Sequence, residues 1–171
     1  VIEVCRYLQT QGFLVTSLPV DGFGLVNPSD LEKALTPGTI LVSIMHANNE
    51  VGTIEPIHEL SEIARAAGAA FHTDAAQTLG KIPVDVQTLG VDMLSMAGHK
   101  LYAPKGVGAL FVRNGLKLKK LMYGANHEAG RRPGTENVLE IVGLGKACEI
   151  AQRDLDQNMS HFEKMRDRLH G

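Results

Sequence analysis

Three short apolar segments of the sequence each end in a cluster of polar residues, and this arrangement restricts the fold more than any other feature. Each segment is rich in the β-branched and large apolar residues of buried strands, and helical patterns lie between them. The segments are Thr39–Met45, Ala69–Thr73 and Val91–Met96. Strands that alternate with helices form βαβ units, so we predict an α/β fold with a mostly parallel sheet flanked by helices.

Periodicity and capping signals predict the other elements. The predicted helices are Val1–Gln11, Ser29–Leu35 with Ser29 as its N-cap, Pro56–Ala67, and a long one from about Asn137 towards Leu169. The two further predicted strands are Phe13–Leu18 and Val107–Arg113. The inner face of the long helix is predicted to carry five residues, namely Val138, Ile141, Val142, Leu144 and Ala147.

The polar clusters that follow the strands are His46–Glu50, Asp74–Gln77 and Gly98–Lys100. In parallel sheets, ligands bind in the crevice beyond the carboxyl ends of the strands. We therefore expect the three clusters to face one crevice. Consecutive asparagines before a glycine usually form a turn, and this interpretation stays open for Asn49 beside a role in holding a cofactor ring.

Lys100 stands in a glycine-containing turn directly after a predicted strand. An amine that forms imines has to be partly desolvated or near other cations, so that a fraction of it is unprotonated at neutral pH. A lysine at a strand end can point into the crevice and meet this requirement. Most lysines are solvated surface groups, and this alternative stays open for Lys100 taken alone.

Asp74 and Gln77 place a carboxylate and an amide close together at another strand end. A buried carboxylate keeps the ring nitrogen of pyridoxal phosphate protonated, which makes the ring an electron sink, and the amide can bind the ring oxygen. For Asp74 the alternative is a helix cap or turn. For His72, on an otherwise apolar strand, a packed and hydrogen-bonded core histidine competes with assistance in proton transfer.

At this point the sequence resembles the cysteine desulfurase and selenocysteine lyase family, within the class-V, fold-type I enzymes that use pyridoxal phosphate. The resemblance runs through nearly the whole chain. The matching stretches are LVSIMHANNEVGTIEPI, HTDAAQTLGKIPVDV, VDMLSMAGHKLYAPKGVGALFVR and RRPGTENVLEIVGLGKA.

The resemblance implies a role for each site residue. Lys100 would form the Schiff base with pyridoxal 5'-phosphate and move the substrate α-proton, Asp74 would pair with the ring nitrogen, and Asn49 and Gln77 would contact the ring oxygen. His99 would bind the phosphate. Thr135 would reach the phosphate in the neighbouring subunit of a homodimer, with a helix N-cap as its alternative.

One position departs from the commoner family pattern. Many relatives carry a serine before the Gly-His-Lys sequence, whereas this chain has Ala97. One phosphate hydrogen bond is then lost, at a cost of roughly 1–3 kcal/mol if nothing replaces it. Some members similar to selenocysteine lyases are also apolar there, so L-selenocysteine stays an alternative substrate to L-cysteine.

The chain begins at Val1 inside a helical pattern, and we expect residues 1–171 to be part of a large domain that lacks an N-terminal segment and a C-terminal small domain. The resemblance places the nucleophilic cysteine and the arginine for the substrate carboxylate in that absent C-terminal part. Cys5 and Cys148 are interpreted as core residues. We therefore expect residues 1–171 alone to be inactive.

Charge and composition restrict the partners. A net charge of -2 gives no basic field for nucleic acid, and no apolar run approaches the length of a membrane span. Two cysteines make no disulfide framework, so we expect the cytoplasm or an organellar matrix. The expected partners are the amino-acid substrate, a second subunit and a sulfur-acceptor or scaffold protein, with iron–sulfur cluster assembly as the commonest destination in the family.

Two other functions are weighed against desulfuration. One is a different reaction on the same scaffold, such as transamination or another β-elimination. The other is a non-catalytic metal-binding module that uses His72, Asp74 and His99. The sequence contains neither a CxxC nor an HxxxH pattern, which disfavours the metal module, and we predict no metal site.

Overall fold

A four-stranded sheet forms the centre of the computed structural model, which describes all residues from Val1 to Gly171. The sheet has the order β1-β2-β3-β4. The strands are β1 (Leu41–Met45), β2 (Ala70–Asp74), β3 (Met93–Ala97) and β4 (Gly108–Val112). The first three are parallel, and β4 is antiparallel to β3. The predicted α/β class with a mostly parallel sheet is confirmed.

Seven helices and one 3-10 helix accompany the sheet. They are α1 (Ile2–Thr10), α2 (Pro28–Ala34), α3 (Ile57–Ala66), α4 (Val86–Leu89), α5 (His127–Gly130), α6 (Val138–Arg153), α7 (Leu155–His170) and the 3-10 helix Gly98–Leu101. The predicted helices are confirmed within a few residues, although the last one is divided at Asp154. None of the helices combines the length and the apolar character that crossing a membrane requires.

Two predictions near the N-terminus are wrong. Phe13–Leu18 is not a strand, and Leu14 is fully exposed, because an apolar pattern does not by itself supply a neighbouring strand. The N-cap of α2 is Asn27 rather than Ser29. The side chain of Asn27 accepts a hydrogen bond from the Ser29 amide at 2.9 Å, and Pro28 takes the first helical position.

The predicted inner face of the long helix is also wrong. Val138, Ile141 and Val142 are exposed at 64%, 42% and 65% of their surface, and Leu144 is the only buried residue of α6. The helix packs against the 3-10 helix, a narrow element that covers only one strip of its surface. The apolar residues lie on the helix as predicted, but most of them contact no other element of this chain.

The two faces of the sheet differ in what they contact. Val42, Phe71 and Leu94 point to one face, where they join the main apolar core with residues of α2 and α3. Side chains alternate between the faces along a strand. Ser43, His72 and Ser95 therefore lie on the other face, and this second face is called the polar face below.

Candidate active site

The carboxyl ends of β1, β2 and β3 lie side by side. In the strand register Met45 is opposite Asp74, and Asp74 is opposite Ser95. The pairing continues past the strand ends, since the His46 amide donates to the Asp74 carbonyl at 2.8 Å and the Ala75 amide donates to the Ser95 carbonyl at 2.9 Å. The three polar clusters therefore follow adjacent strands at one edge of the sheet.

A cleft of about 230 Å³ lies at this edge. Its polar lining comes from the loop after β1 and the turn after β2, and includes Asn49, Gln77 and Lys81. A larger hollow of about 360 Å³ is lined only by residues between Pro19 and Asp30, and none of the predicted site residues belongs to it. The candidate active site is therefore this cleft together with the neighbouring strand ends, which carry Asp74, His99 and Lys100; these three residues do not themselves line the cleft.

The two consecutive asparagines have different tasks. The side-chain oxygen of Asn48 accepts hydrogen bonds from the amides of Glu50 and Val51 at 2.8 and 3.0 Å, so Asn48 forms the turn. Asn49 is exposed, and its side chain makes no hydrogen bond within the chain. Its amide is free to bind a ligand in the cleft.

Asp74 is half-buried at the last position of β2. One carboxylate oxygen, Oδ1, accepts a hydrogen bond from the Ala76 amide at 2.9 Å, which is the turn-forming role weighed from the sequence. The second oxygen accepts no hydrogen bond from the protein. Asp74 can therefore stabilise the turn and still accept a hydrogen bond from a cationic N–H group.

His72 lies on the polar face between two serines. Its Nδ1 is 2.8 Å from the Ser43 hydroxyl and its Nε2 is 2.8 Å from the Ser95 hydroxyl. Burial lowers the pKa of His72 below the ordinary value of 6.5, against the opposing effect of the Asp74 charge. The hydrogen-bonded histidine weighed from the sequence is what the structure contains.

Lys100 and His99 lie in the 3-10 helix that follows β3, and both side chains are exposed. The turn that carries them depends on Gly98. A Cβ atom added at Gly98 would lie 2.7 Å from the Val107 carbonyl oxygen and 2.9 Å from a Val107 methyl group. Only glycine allows the chain to approach Val107 this closely.

We expect Gly98→Ala to destabilise the fold by about 1–3 kcal/mol, because the backbone has to move away from Val107. The free energy of unfolding from urea titration measures this effect. Gly145→Ala is the matched control. A Cβ atom there meets nothing within 4 Å, and alanine is preferred in a helix by roughly 0.5–1 kcal/mol. Equal stability of the two variants would contradict the packing of this turn.

Lys81 is a cleft residue that the sequence did not single out. Burial lowers its pKa below 10.5, and the positive charge of Lys100 lowers it further. Its ammonium group donates to the Gln77 carbonyl at 3.1 Å, four residues earlier in the turn that follows β2. The effect of the Lys100 charge on this pKa indicates that Lys81 and Lys100 are close enough for their charges to interact. The spacing of Lys81 four residues after Gln77 is the signal that would have found it.

Thr135 is not among the residues that line the cleft. It is exposed in the loop before α6, and the N-cap of α6 is Asn137, so the capping alternative for Thr135 is wrong. Cys5 and Cys148 are half-buried, and neither lines the cleft. Burial raises the pKa of Cys148, which disfavours its thiolate form.

The metal-binding alternative finds no support in the geometry. No three histidine, cysteine, aspartate or glutamate side chains lie together in a way that could hold a metal ion. His72 instead has serine partners on both ring nitrogens.

Two buried histidines predict how stability depends on pH. Burial lowers the pKa of both His46 and His72 below 6.5. Below that pH the unfolded chain binds protons that the folded chain does not, so the free energy of unfolding falls as the pH drops below 6.5. Urea titrations between about pH 7.5 and pH 5.5 measure this. His72→Gln should reduce the dependence of the free energy of unfolding on pH. A free energy of unfolding that is constant over this range would contradict the lowered pKa values of both histidines.

An α/β sheet with an amine, a carboxylate and two amides on adjacent strand ends defines a class of ligand-binding α/β domains. Comparison with known proteins gives the family. The family model for "Aminotransferase class-V" matches residues 2–171. The chain therefore belongs to the class-V aminotransferase family.

Several curated relatives of the chain are named as desulfurases. The chain is 54% identical over 98% of its length to the cysteine desulfurase IscS of Dictyoglomus turgidum, and 50% identical over 99% to the cysteine desulfurase IscS of Methanosarcina thermophila. It spans 42% of each of these relatives.

Solved structures agree with the sequence comparison. A NifS-like protein superimposes with a TM-score of 0.95 at 44% identity, over 98% of this chain and 47% of that one. SspA in complex with cysteine superimposes with a TM-score of 0.84 at 43% identity, over 86% of this chain and 43% of that one.

Proposed function

We propose that the protein is a pyridoxal-phosphate-dependent cysteine desulfurase, which converts L-cysteine to L-alanine and transfers the sulfur to an enzyme thiol as a persulfide. The observation that carries the proposal is the register of β1, β2 and β3, which brings three chemically distinct clusters to one edge. The similarity to proteins named cysteine desulfurase supports this choice over other reactions of the class.

The side chains at the strand ends fit pyridoxal phosphate. Asp74 has a carboxylate oxygen without a partner, which suits the protonated ring nitrogen. Asn49 and Gln77 line the cleft and offer amide donors to the ring oxygen. Lys100 offers the amine for the covalent link, and His99 beside it offers a donor to the phosphate.

The residues of this chain divide the chemistry between them. When bound, pyridoxal phosphate supplies an electron sink for the negative charge that develops on the substrate α-carbon. Asp74 holds the ring nitrogen in its protonated form, and the Lys100 amine takes the proton from the α-carbon. A thiolate then attacks the substrate sulfur and forms the persulfide, while the C–S bond breaks and leaves its electron pair on the substrate. A proton from solvent is added at Cβ, and the Lys100 ammonium returns a proton to the α-carbon to complete alanine.

We place the thiol that accepts the sulfur outside these 171 residues, because neither Cys5 nor Cys148 lines the cleft. In the proposed homodimer, the partner subunit's Thr135 completes the phosphate site, which is consistent with the exposure of Thr135 here. A sulfur-acceptor or scaffold protein would receive the persulfide, in the cytoplasm or an organellar matrix. Residues 1–171 would form part of the large domain.

The test is to incubate the full-length protein with pyridoxal phosphate and L-cysteine and to measure alanine and, after reduction, sulfide. We expect the two products in equal amounts. Transamination products, or pyruvate in place of alanine, would contradict desulfuration. L-Selenocysteine belongs in the same assay because Ala97 replaces the serine of many relatives, and faster turnover of that substrate would assign the protein as a selenocysteine lyase.

A further inference from the structure

His72 connects three strands of the sheet by side-chain hydrogen bonds. Ser43 lies on β1, His72 on β2 and Ser95 on β3, and each serine hydroxyl is 2.8 Å from one ring nitrogen. The serines are 29 and 23 residues away in sequence. This set of residues is called the Ser-His-Ser bridge below.

The bridge suits a neutral imidazole. A neutral ring has one N–H donor and one nitrogen acceptor, and a serine hydroxyl can serve either of them. The ring is half-buried and both nitrogens are engaged, so it has no free position for a substrate proton. To act as a proton carrier, His72 would have to break one of these two bonds.

The bridge lies directly beneath the candidate active site. His72 comes two residues before Asp74, so both side chains point to the same face of β2. Ser95 is on the strand that leads into the turn of Lys100, and its carbonyl also accepts the Ala75 amide at 2.9 Å. Ser43 is on the strand that leads to Asn49. The bridged strands are therefore the three that carry the proposed cofactor contacts.

The charge of the ring matters for Asp74. A protonated His72 would be a cation beside that carboxylate and would compete with the ring nitrogen of the cofactor for its charge. A neutral ring leaves the free carboxylate oxygen to the cofactor. Burial favours the neutral ring, and the two serine hydroxyls can satisfy both of its nitrogens.

We propose that His72 is a positioning residue, a neutral bridge between Ser43 and Ser95 that sets the strand end of Asp74 between those of Asn49 and Lys100, and that it does not carry a proton in the reaction. This inference rests on the proposed function. It replaces the assistance in proton transfer that the sequence left open for His72.

The test compares His72→Gln with His72→Ala in the full-length protein loaded with pyridoxal phosphate. A glutamine amide offers one donor and one acceptor and never titrates, so it can replace a neutral bridge but not a proton carrier. We expect His72→Gln to keep kcat within about threefold of the wild type, and His72→Ala to lower kcat by about tenfold or more, because two hydrogen bonds are lost. KM should change little in both variants, because His72 does not touch the substrate.

The pH profile separates the two roles further. His72→Gln should have the same profile of kcat as the wild type above pH 6.5, where the lowered pKa of His72 leaves the ring mostly neutral. His58→Gln is the matched control, since His58 is exposed on α3 and should leave kcat unchanged. A His72→Gln variant that loses as much activity as His72→Ala, together with a limb of the profile, would overturn the inference.

Nitrogen NMR of the histidine rings tests the bridge without activity or cofactor. We expect one protonated and one unprotonated ring nitrogen for His72 at about pH 7, with both signals shifted by Ser43→Ala and by Ser95→Ala. A doubly protonated ring, or signals that neither variant moves, would overturn the bridge. Wild-type protein that binds no pyridoxal phosphate would instead refute the proposed function, whatever the His72 signals show.

Discussion

Replacement of Lys100 by alanine is expected to lower kcat of the full-length protein by at least about 1,000-fold, because one amine supplies both the covalent link to the cofactor and the base at the α-carbon. Lys100 is the only lysine in the turn that follows β3 directly. Steady-state turnover of L-cysteine and the visible absorbance of the bound cofactor measure the loss.

Lys105→Ala is the matched control for this substitution. Lys105 is exposed five residues later, beyond the 3-10 helix that carries Lys100. Its variant should keep the absorbance and kcat of the wild type. Normal turnover by Lys100→Ala would contradict the role of Lys100, and a comparable loss in Lys81→Ala alone would transfer that role to Lys81, which lines the cleft.

Asp74→Asn is expected to keep the cofactor bound and to lower kcat by roughly 10- to 1,000-fold. An adjacent carboxylate shifts the pKa of a cationic partner by about 1–3 units, and an amide does not, so the ring nitrogen loses its proton in the variant. The change preserves the size of the side chain and an oxygen for the Ala76 amide. The absorbance of the bound cofactor and kcat, measured on the same samples, separate binding from turnover.

Asp156→Asn serves as the control, because Asp156 is exposed on α7, far along the chain from the cleft. It should change neither cofactor binding nor kcat. Wild-type turnover in Asp74→Asn would remove this carboxylate from the chemistry. Loss of the cofactor from Asp74→Asn would show that the carboxylate acts mainly in binding.

The parallel part of the sheet follows from the sequence because its strands carry strong local signals. Each strand is short and rich in apolar residues and ends at a polar cluster, as after Met45 and at Asp74. Once these strands are parallel and adjacent, their carboxyl ends must share an edge. The convergence of the clusters was therefore predictable from local pattern alone.

Other features depend on contacts that a local pattern does not contain. Phe13–Leu18 has the apolar residues of a strand but no neighbour to pair with, and the apolar face of α6 meets little of this chain. The antiparallel direction of β4 results from its short connection to β3. In each case the sequence shows the apolar residues, but it does not predict which neighbouring element they contact.

The candidate active site also combines features that the local sequence predicts with features that only the fold determines. Lys81 lines the cleft because the turn after β2 brings its ammonium group to the Gln77 carbonyl, and its local sequence signal is weak. The partners of His72 were not predictable, because Ser43 and Ser95 are brought to its ring only by the strand register. Sequence reasoning identified the chemical groups, and the sheet determines which of them meet.

Borohydride reduction of the full-length protein, followed by peptide mapping of the pyridoxyl group, tests most directly whether the groups at these strand ends hold one cofactor. Reduction fixes the cofactor to the amine that carries it. The predicted result is a single modified residue, Lys100, in the peptide that follows β3. A modification at Lys81, or at any other lysine, would contradict the assignment.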